Sequence, residues 1–161
     1  MQLRDPSLLR DRAFVAGIWT GAAAAYAVRN PASGEHLADV PDMGSAEARR
    51  AIEAADAALP AWRALPGKER AAILRRWFEL IMANVGDLAT IMTAEQGKPL
   101  AEARGEVAYA ASFVEWFAEE GKRVYGDTMP APTGDRRIVV LKQPIGVCAA
   151  ITPWNFPAAM I

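Results

Sequence analysis

The polar side chain with the clearest chemical potential is Asn155, which lies between two prolines in residues 152–157 (TPWNFP). Residues 145–151 precede it and form an apolar run whose composition predicts a buried strand. Open α/β sheets bind ligands in the crevice at the carboxyl ends of their strands. The pattern therefore has two interpretations, a site to which the strand delivers Asn155 or a proline-rich exit turn without function.

Other residues with catalytic potential have simpler interpretations. Cys148 is the only cysteine and lies inside the apolar run with no base nearby, so we predict a buried core residue rather than a nucleophile. His36 is the only histidine and follows a turn, which indicates a solvated loop residue. Glu102 and Glu106 are one helical turn apart and could act as paired carboxylates in acid–base chemistry. A solvated helix face is the favoured interpretation of this glutamate pair.

Composition excludes several function classes. The 161 residues and 52% hydrophobic content allow one domain with a substantial core. A formal net charge of −1 provides no basic excess for nucleic acid, so we expect no such partner. One cysteine and one histidine leave no cluster that could bind a metal. The N-terminus lacks a signal core and no run reaches the roughly 20 apolar residues of a membrane span, so we expect a cytoplasmic protein.

The N-terminal residues predict β-structure. Residues 13–20 have strand composition interrupted by Gly17, and residues 24–30 and 36–40 flank a turn-forming segment. The sequence therefore predicts a small β-hairpin region. Further along the chain, residues 125–134 have the composition of a loop, and residues 137–142 predict another strand.

Four helical segments separate these regions. The first is predicted over residues 45–59 because Pro60 follows it, the second begins at Gly67, and the third covers residues 85–95. The fourth is the longest, with apolar residues at alternating spacings of three and four from 100 to 117. Phe113 and Trp116 border its apolar seam, where they could either pack in the core or line a pocket.

Two ordered motifs connect the sequence to a known family. Residues 151–157 (ITPWNFP) resemble the signature of the aldehyde dehydrogenase superfamily, and residues 95–99 (EQGKP) resemble a second motif of that family. The similarity extends from about residue 14 to residue 161. Residues 110–123 and 125–128 most resemble the bacterial NAD(P)-dependent succinate-semialdehyde dehydrogenases.

The resemblance implies a reaction and assigns residues to it. The reaction is the oxidation of an aldehyde, with succinate semialdehyde as the expected substrate, by NAD or NADP through a cysteine thiohemiacetal. By match to the family motif, Asn155 is the catalytic residue whose side-chain N–H stabilises the developing oxyanion. Ile151, Thr152, Pro153 and Trp154 match the cofactor-binding segment that borders the nicotinamide.

The resemblance also implies a substrate-binding region and an assembly. Phe113 and Trp116 match the helix region that lines the substrate tunnel of the family. No metal is implied, the expected partner is a small-molecule aldehyde, and the full-length protein is expected to form a homo-oligomer. The resemblance leaves the choice between NAD and NADP open.

The implied fold class is α/β, in which a β-hairpin and helices lead into the first strand of an incomplete Rossmann-like sheet. Residues 1–134 are expected to form the hairpin and helical part of the cofactor-binding domain. Residues 135–144 are expected to form a connecting strand, and residues 145–161 the first strand and active-site loop of a truncated dinucleotide-binding sheet.

Two functional interpretations follow. Family members are longer, and the nucleophilic cysteine and the glutamate general base are implied to lie outside this chain. We therefore expect an N-terminal fragment of an oxidoreductase that is inactive alone and exposes the apolar run 145–151. The alternative is a non-catalytic interaction or oligomerisation module that retains the hairpin and helices as a binding surface.

Overall fold

The N-terminal strands form two separate hairpins. The computed structural model describes residues 1–161, and its first element is a short 3₁₀ helix, Pro6–Leu8. Strands β1 (Ala13–Val15) and β2 (Ile18–Thr20) pair antiparallel around Ala16 and Gly17, which both have positive φ angles, 52° and 81°. Two residues with positive φ suit a tight two-residue hairpin turn. The interruption predicted at Gly17 is therefore a turn that divides the segment into two strands.

The second hairpin confirms the sequence prediction. Strands β3 (Ala25–Arg29) and β4 (His36–Pro41) pair antiparallel, and the Asn30 side chain stabilises the turn by accepting a 2.9 Å hydrogen bond from the Ala32 N–H. His36 is exposed and its Nε2 lies 2.9 Å from Asp39 Oδ1 on the same strand. The interpretation of His36 as a solvated residue near a turn is also confirmed.

Four helices follow as α1 (Ser45–Ala64), α2 (Gly67–Ala83), α3 (Val85–Gln96) and α4 (Leu100–Glu120). The prediction that α1 ends before Pro60 was wrong, because the helix continues through this residue. Pro60 removes one backbone hydrogen bond, but Asp56, whose carbonyl loses that bond, is exposed and can be solvated. Helix α3 ends at Gly97 as predicted, with the left-handed conformation (φ 87°) typical of a helix stop.

The core lies between α3 and α4, and most of the buried apolar residues of the chain are alanines. Ala89, Met92, Ala103 and Val107 form its buried cluster, and α2 packs along the other side of α4. Ala89 and Ala103 allow close approach of the helices, but an alanine buries little apolar area. Larger apolar side chains on α2, including Trp77, therefore remain half exposed. None of the helices is long and apolar enough to cross a membrane.

The last two strands form a hairpin, of which the sequence predicted only the second strand. Strand β6 (Arg137–Val140) lies within the predicted strand, whereas β5 (Asp127–Pro130) lies in a segment predicted to be a loop. The loop prediction was wrong because the backbone of β5 obtains its hydrogen-bond partners from β6, a contact that local composition does not report. Gly126 allows the two strands to meet, since a Cβ there would lie 2.1 Å from the Val140 carbonyl oxygen.

The apolar run 145–151 is not a buried strand. It has no hydrogen-bonded neighbour, and Ile145 and Ile151 are 95% and 100% exposed. A strand needs a partner for its backbone groups, and the chain forms only three separate two-stranded sheets. Cys148 is consequently exposed, so its prediction as a core residue was wrong. The predicted exposure of this run is confirmed, and so is the α/β class.

Candidate active site

The segment that contains Asn155 is a series of turns lying against α4. Residues 154–160 contain no helix or strand, and the backbone N–H of Phe156 donates to the Pro153 carbonyl over 3.2 Å. We call residues 152–159 the Asn155 loop. Such a segment has few backbone hydrogen bonds of its own, so its conformation depends on contacts with the helices.

Two charged side chains from the helical region provide those contacts. Lys98, in the connection between α3 and α4, donates from Nζ to the Asn155 carbonyl oxygen over 2.7 Å and to Glu106 Oε2. The other oxygen of Glu106, Oε1, accepts the backbone N–H groups of Ala158 at 2.9 Å and Ala159 at 3.4 Å. A continuous chain of hydrogen bonds therefore runs from the Asn155 carbonyl, through the ion pair, to the end of the loop.

This ion pair is buried. The side chains of Lys98 and Glu106 are 10% and 1% exposed, and the Lys98 ammonium lies 4.1 Å from the centre of the Phe156 ring. Burial by itself raises the pKa of Glu106, but the hydrogen bond from Lys98 and those from Ala158 and Ala159 outweigh it and lower the pKa. Glu106 is therefore a carboxylate at neutral pH despite its burial.

The prediction of a solvated glutamate pair was wrong for Glu106 and right for Glu102, which is exposed. A signal for this difference was present in the sequence, because Glu106 lies three residues after Ala103 and beside Val107, within the apolar seam of α4. A charged residue in an apolar seam indicates a buried partner. That partner, Lys98, belongs to the EQGKP motif.

The proposed catalytic and cofactor-binding residues are consecutive, residues 151–155, and all but Ile151 belong to the Asn155 loop. Asn155 is exposed, and its side-chain amide forms no hydrogen bond with the rest of the chain. Ile151 is fully exposed, Trp154 is 79% exposed, and Thr152 is partly covered. The loop therefore presents a free amide next to an accessible apolar surface.

The two proposed substrate-binding residues lie elsewhere on the chain. Phe113 packs on Tyr109 with ring centres 4.7 Å apart, and with the more exposed Trp116 it lines a hollow of about 440 Å³ on α4. Neither Asn155 nor Trp154 borders that hollow. In this structure Phe113 and Trp116 therefore do not share a pocket with Asn155.

A larger apolar cavity of about 1010 Å³ lies beside the loop. Trp154 forms part of its wall, together with apolar side chains of α2, α3 and α4 that include Trp77, Met92 and Val107. Glu95 also borders the cavity, and burial raises the pKa of its carboxyl group. An extended apolar surface therefore adjoins the polar contacts that hold the Asn155 loop.

The sequence of this chain is similar to those of known enzymes. A family model described as the aldehyde dehydrogenase family matches residues 19–161. The chain is 65% identical to glutarate-semialdehyde dehydrogenase of Pseudomonas putida and 63% identical to succinate-semialdehyde dehydrogenase [NADP(+)] GabD of Escherichia coli. Each alignment covers 100% of this chain and 34% of the relative.

The same similarity extends to solved structures. The crystal structure of succinate-semialdehyde dehydrogenase from Burkholderia pseudomallei matches with a TM-score of 0.96 and 65% sequence identity. That match covers 99% of this chain and 34% of the other. The chain thus spans about a third of the length of the curated relatives that it matches.

Proposed function

This chain belongs to the aldehyde dehydrogenase family, and on that premise we propose that it supplies the oxyanion-stabilising loop of an enzyme that oxidises a semialdehyde with NAD or NADP. The first candidate substrate is succinate semialdehyde, and the product is succinate. The observation that carries the proposal is the Asn155 side-chain amide, which is free of internal hydrogen bonds on a loop whose backbone is held at Asn155 and at Ala158.

The proposed role of Asn155 follows from the charge that develops during aldehyde oxidation. When a nucleophile adds to the carbonyl carbon, the carbonyl oxygen becomes an oxyanion and needs a hydrogen-bond donor. An amide N–H does not ionise, and it stabilises the oxyanion most when its position is set in advance. The Asn155 amide has no competing acceptor, and the loop backbone is already ordered by Lys98 and Glu106.

We assign Ile151, Thr152, Pro153 and Trp154 to the nicotinamide end of the cofactor. The support for this assignment is that the apolar side chains of Ile151 and Trp154 are exposed and can pack against the flat nicotinamide ring. When bound, the cofactor accepts the two electrons that the aldehyde loses. The chain has no glycine-rich phosphate-binding motif, so we assign only this end of the cofactor to it.

The remaining groups of the reaction are proposed to lie outside these 161 residues. Cys148 is exposed and unpaired, but nothing in the chain provides a base for it, so we do not assign it as the nucleophile. The nucleophilic cysteine and the glutamate base are assigned to the part of the relatives that this chain does not match. Phe113 and Trp116 remain proposed substrate-tunnel residues, and the complete protein is proposed to be a homo-oligomer.

Glutarate semialdehyde is the second candidate substrate. The Pseudomonas putida relative that is 65% identical is named for it, and the two substrates share a terminal carboxylate and differ by one methylene. A single methylene in an apolar pocket changes specificity only about 10- to 200-fold. Both semialdehydes therefore belong in the same assay, each with NAD and with NADP.

A chimera tests the proposal directly. Residues 1–161 would replace the matching first third of the Escherichia coli relative, and turnover of both semialdehydes would be followed by NAD(P)H absorbance. We expect activity in the chimera and none in the 161-residue chain alone. Asn155→Ala in the chimera should lower kcat by about 10²- to 10³-fold, because one oxyanion donor is lost.

The matched control is Asn84→Ala. Asn84 also carries a side-chain amide, but it donates to the Leu80 carbonyl at the end of α2 and not to the Asn155 loop. This variant should retain the kcat of the chimera. An Asn155→Ala chimera with unchanged kcat would exclude the proposed role of Asn155, and turnover by the isolated chain would exclude the assignment of the nucleophile to other residues.

A non-catalytic oligomerisation module is the second candidate function. It is favoured by the exposed apolar run 145–151 and by the open apolar cavity beside the loop. If this alternative holds, the chimera is inactive and the isolated chain forms a defined oligomer by analytical ultracentrifugation.

A further inference from the structure

We propose that Lys98 and Glu106 are positioning residues for the reaction, which together fix the Asn155 loop so that the Asn155 amide is aimed before the substrate binds. This inference rests on the proposed function of Asn155. It concerns how a segment without regular structure can hold a donor in one place.

The first argument is the location of the contacts. Lys98 binds the carbonyl oxygen of Asn155 itself, and Glu106 binds the N–H groups of Ala158 and Ala159, so the loop is held at two places separated by a proline. All three contacts are to backbone atoms. They therefore restrict the conformation of the loop and leave the Asn155 side chain free to donate elsewhere.

The second argument is that the two side chains act as one unit. Glu106 Oε2 accepts from Lys98 while Oε1 accepts from the loop, so moving either residue displaces both attachments. The pair is almost wholly removed from water, which strengthens its hydrogen bonds and makes an unpaired member costly. The Phe156 ring lies against the Lys98 ammonium and covers the pair from the loop side.

The third argument is a contrast on the same helix. Glu115 also pairs with a basic residue of another segment, Arg75 on α2 at 2.7 Å, but both side chains are about half exposed and neither contacts the loop. The variants Glu106→Gln and Glu115→Gln thus make the same chemical change on α4. Only the first changes a group that touches the loop.

Amide hydrogen exchange of the 161-residue chain, resolved by residue, tests the attachment. Glu106→Gln replaces the charged acceptor of the Ala158 and Ala159 amides by a neutral one, and Lys98→Met removes the cation that holds Glu106 in place. In both variants these amides should exchange faster, by up to about 10- to 100-fold, the factor for complete loss of a hydrogen bond to a charged group. Helix amides that exchange through global unfolding should accelerate only as far as the whole chain is destabilised, and Glu115→Gln should leave the loop unaffected. Equal loop exchange in the Glu106 and Glu115 variants overturns the proposal.

The unsubstituted chain provides a test that does not depend on how the variants fold. The Ala158 and Ala159 amides donate to Glu106, whereas those of Trp154 and Asn155 have no acceptor in the chain. The Ala158 and Ala159 amides should therefore exchange at least about tenfold more slowly than the other two, after correction for sequence. Equal protection of all four amides overturns the proposal.

Kinetics in the chimera separate positioning from general stabilisation. Lys98→Met should lower kcat by as much as about a hundredfold with little change in KM, because the donor is misplaced and the substrate pocket is intact. Lys98→Arg, which keeps the charge, should recover part of the lost kcat. An unchanged kcat in Lys98→Met overturns the proposal.

The two proposals can fail separately. If loop exchange responds as expected but Asn155→Ala retains full kcat, the attachment of the loop is supported and the catalytic role of Asn155 is excluded. If Asn155→Ala lowers kcat but amide exchange in the loop is unchanged by Glu106→Gln, the catalytic role stands and the positioning role is excluded.

Discussion

The substitution Glu106→Gln tests the energetics of the site most directly. It removes the negative charge opposite Lys98 and places an amide N–H2 or a neutral oxygen there, while the glutamine can still accept one N–H from the loop. Lys98 then remains nearly buried without a counter-charge. Breaking a buried pair in this way costs about 3–5 kcal/mol, and we expect a value near 3 because Lys98 keeps the Asn155 carbonyl and the Phe156 ring.

The same prediction has a defined pH dependence. The hydrogen bonds of the folded state lower the pKa of Glu106 below its ordinary value of 4.5, so the folded state favours the charged form. Its stabilising contribution is therefore complete above the unfolded-state pKa and is lost as the pH falls from there through the lower folded-state pKa. The difference between the unsubstituted chain and Glu106→Gln should shrink below about pH 4.5.

Urea unfolding followed by circular dichroism at several pH values measures both quantities. Glu115→Gln is the control, because the exposed Arg75–Glu115 pair is screened by water and its loss should hardly change the free energy of unfolding. The double variant Lys98→Met/Glu106→Gln should be more stable than Glu106→Gln, since it leaves no unpaired buried charge. A Glu106→Gln variant as stable as Glu115→Gln, or a difference that stays constant below pH 4.5, would refute the reasoning.

Three further predictions concern other parts of the chain. Gly126→Ala should destabilise the chain by about 1–3 kcal/mol in urea unfolding, because the added Cβ would meet the Val140 carbonyl at 2.1 Å, whereas Gly134→Ala meets no atom within 4 Å and should be tolerated. Cys148 is exposed, so a thiol reagent should modify it as fast in the native chain as in urea; marked protection in the native chain would contradict its position. Asn155→Ala should leave the urea midpoint of the chain unchanged, because its side chain makes no internal hydrogen bond, and a clear shift would indicate an unseen structural role.

Local sequence patterns determined most of the secondary structure. The apolar repeat along α4, the start of α2 at Gly67 and the left-handed stop at Gly97 were all predicted because each depends on residues within a few turns. The β3–β4 hairpin was predicted for the same reason, since the Asn30 side chain forms its turn with close neighbours.

The predictions failed where a distant part of the chain provides or withholds a partner. Strand β5 exists because β6 accepts its backbone hydrogen bonds, and the run 145–151 remains unpaired because no strand lies beside it. The same absence explains the exposure of Cys148, whose apolar neighbours indicated a core position. Composition reports the tendency of a segment to pair or to be buried, but it does not report whether a partner is present.

Some features of the candidate site were also evident from the sequence, and others depend on the tertiary structure. The sequence by itself determined the family, through ITPWNFP and EQGKP, and it singled out Asn155 as the residue with chemical potential. Only the tertiary structure decided that the two motifs meet, because Lys98 and Asn155 are separated by 57 positions and Glu106 lies between them in the chain. The physical reason is burial: a lysine in a helix connection and a glutamate on a helix remain solvated unless another segment covers them, and here the Asn155 loop covers both.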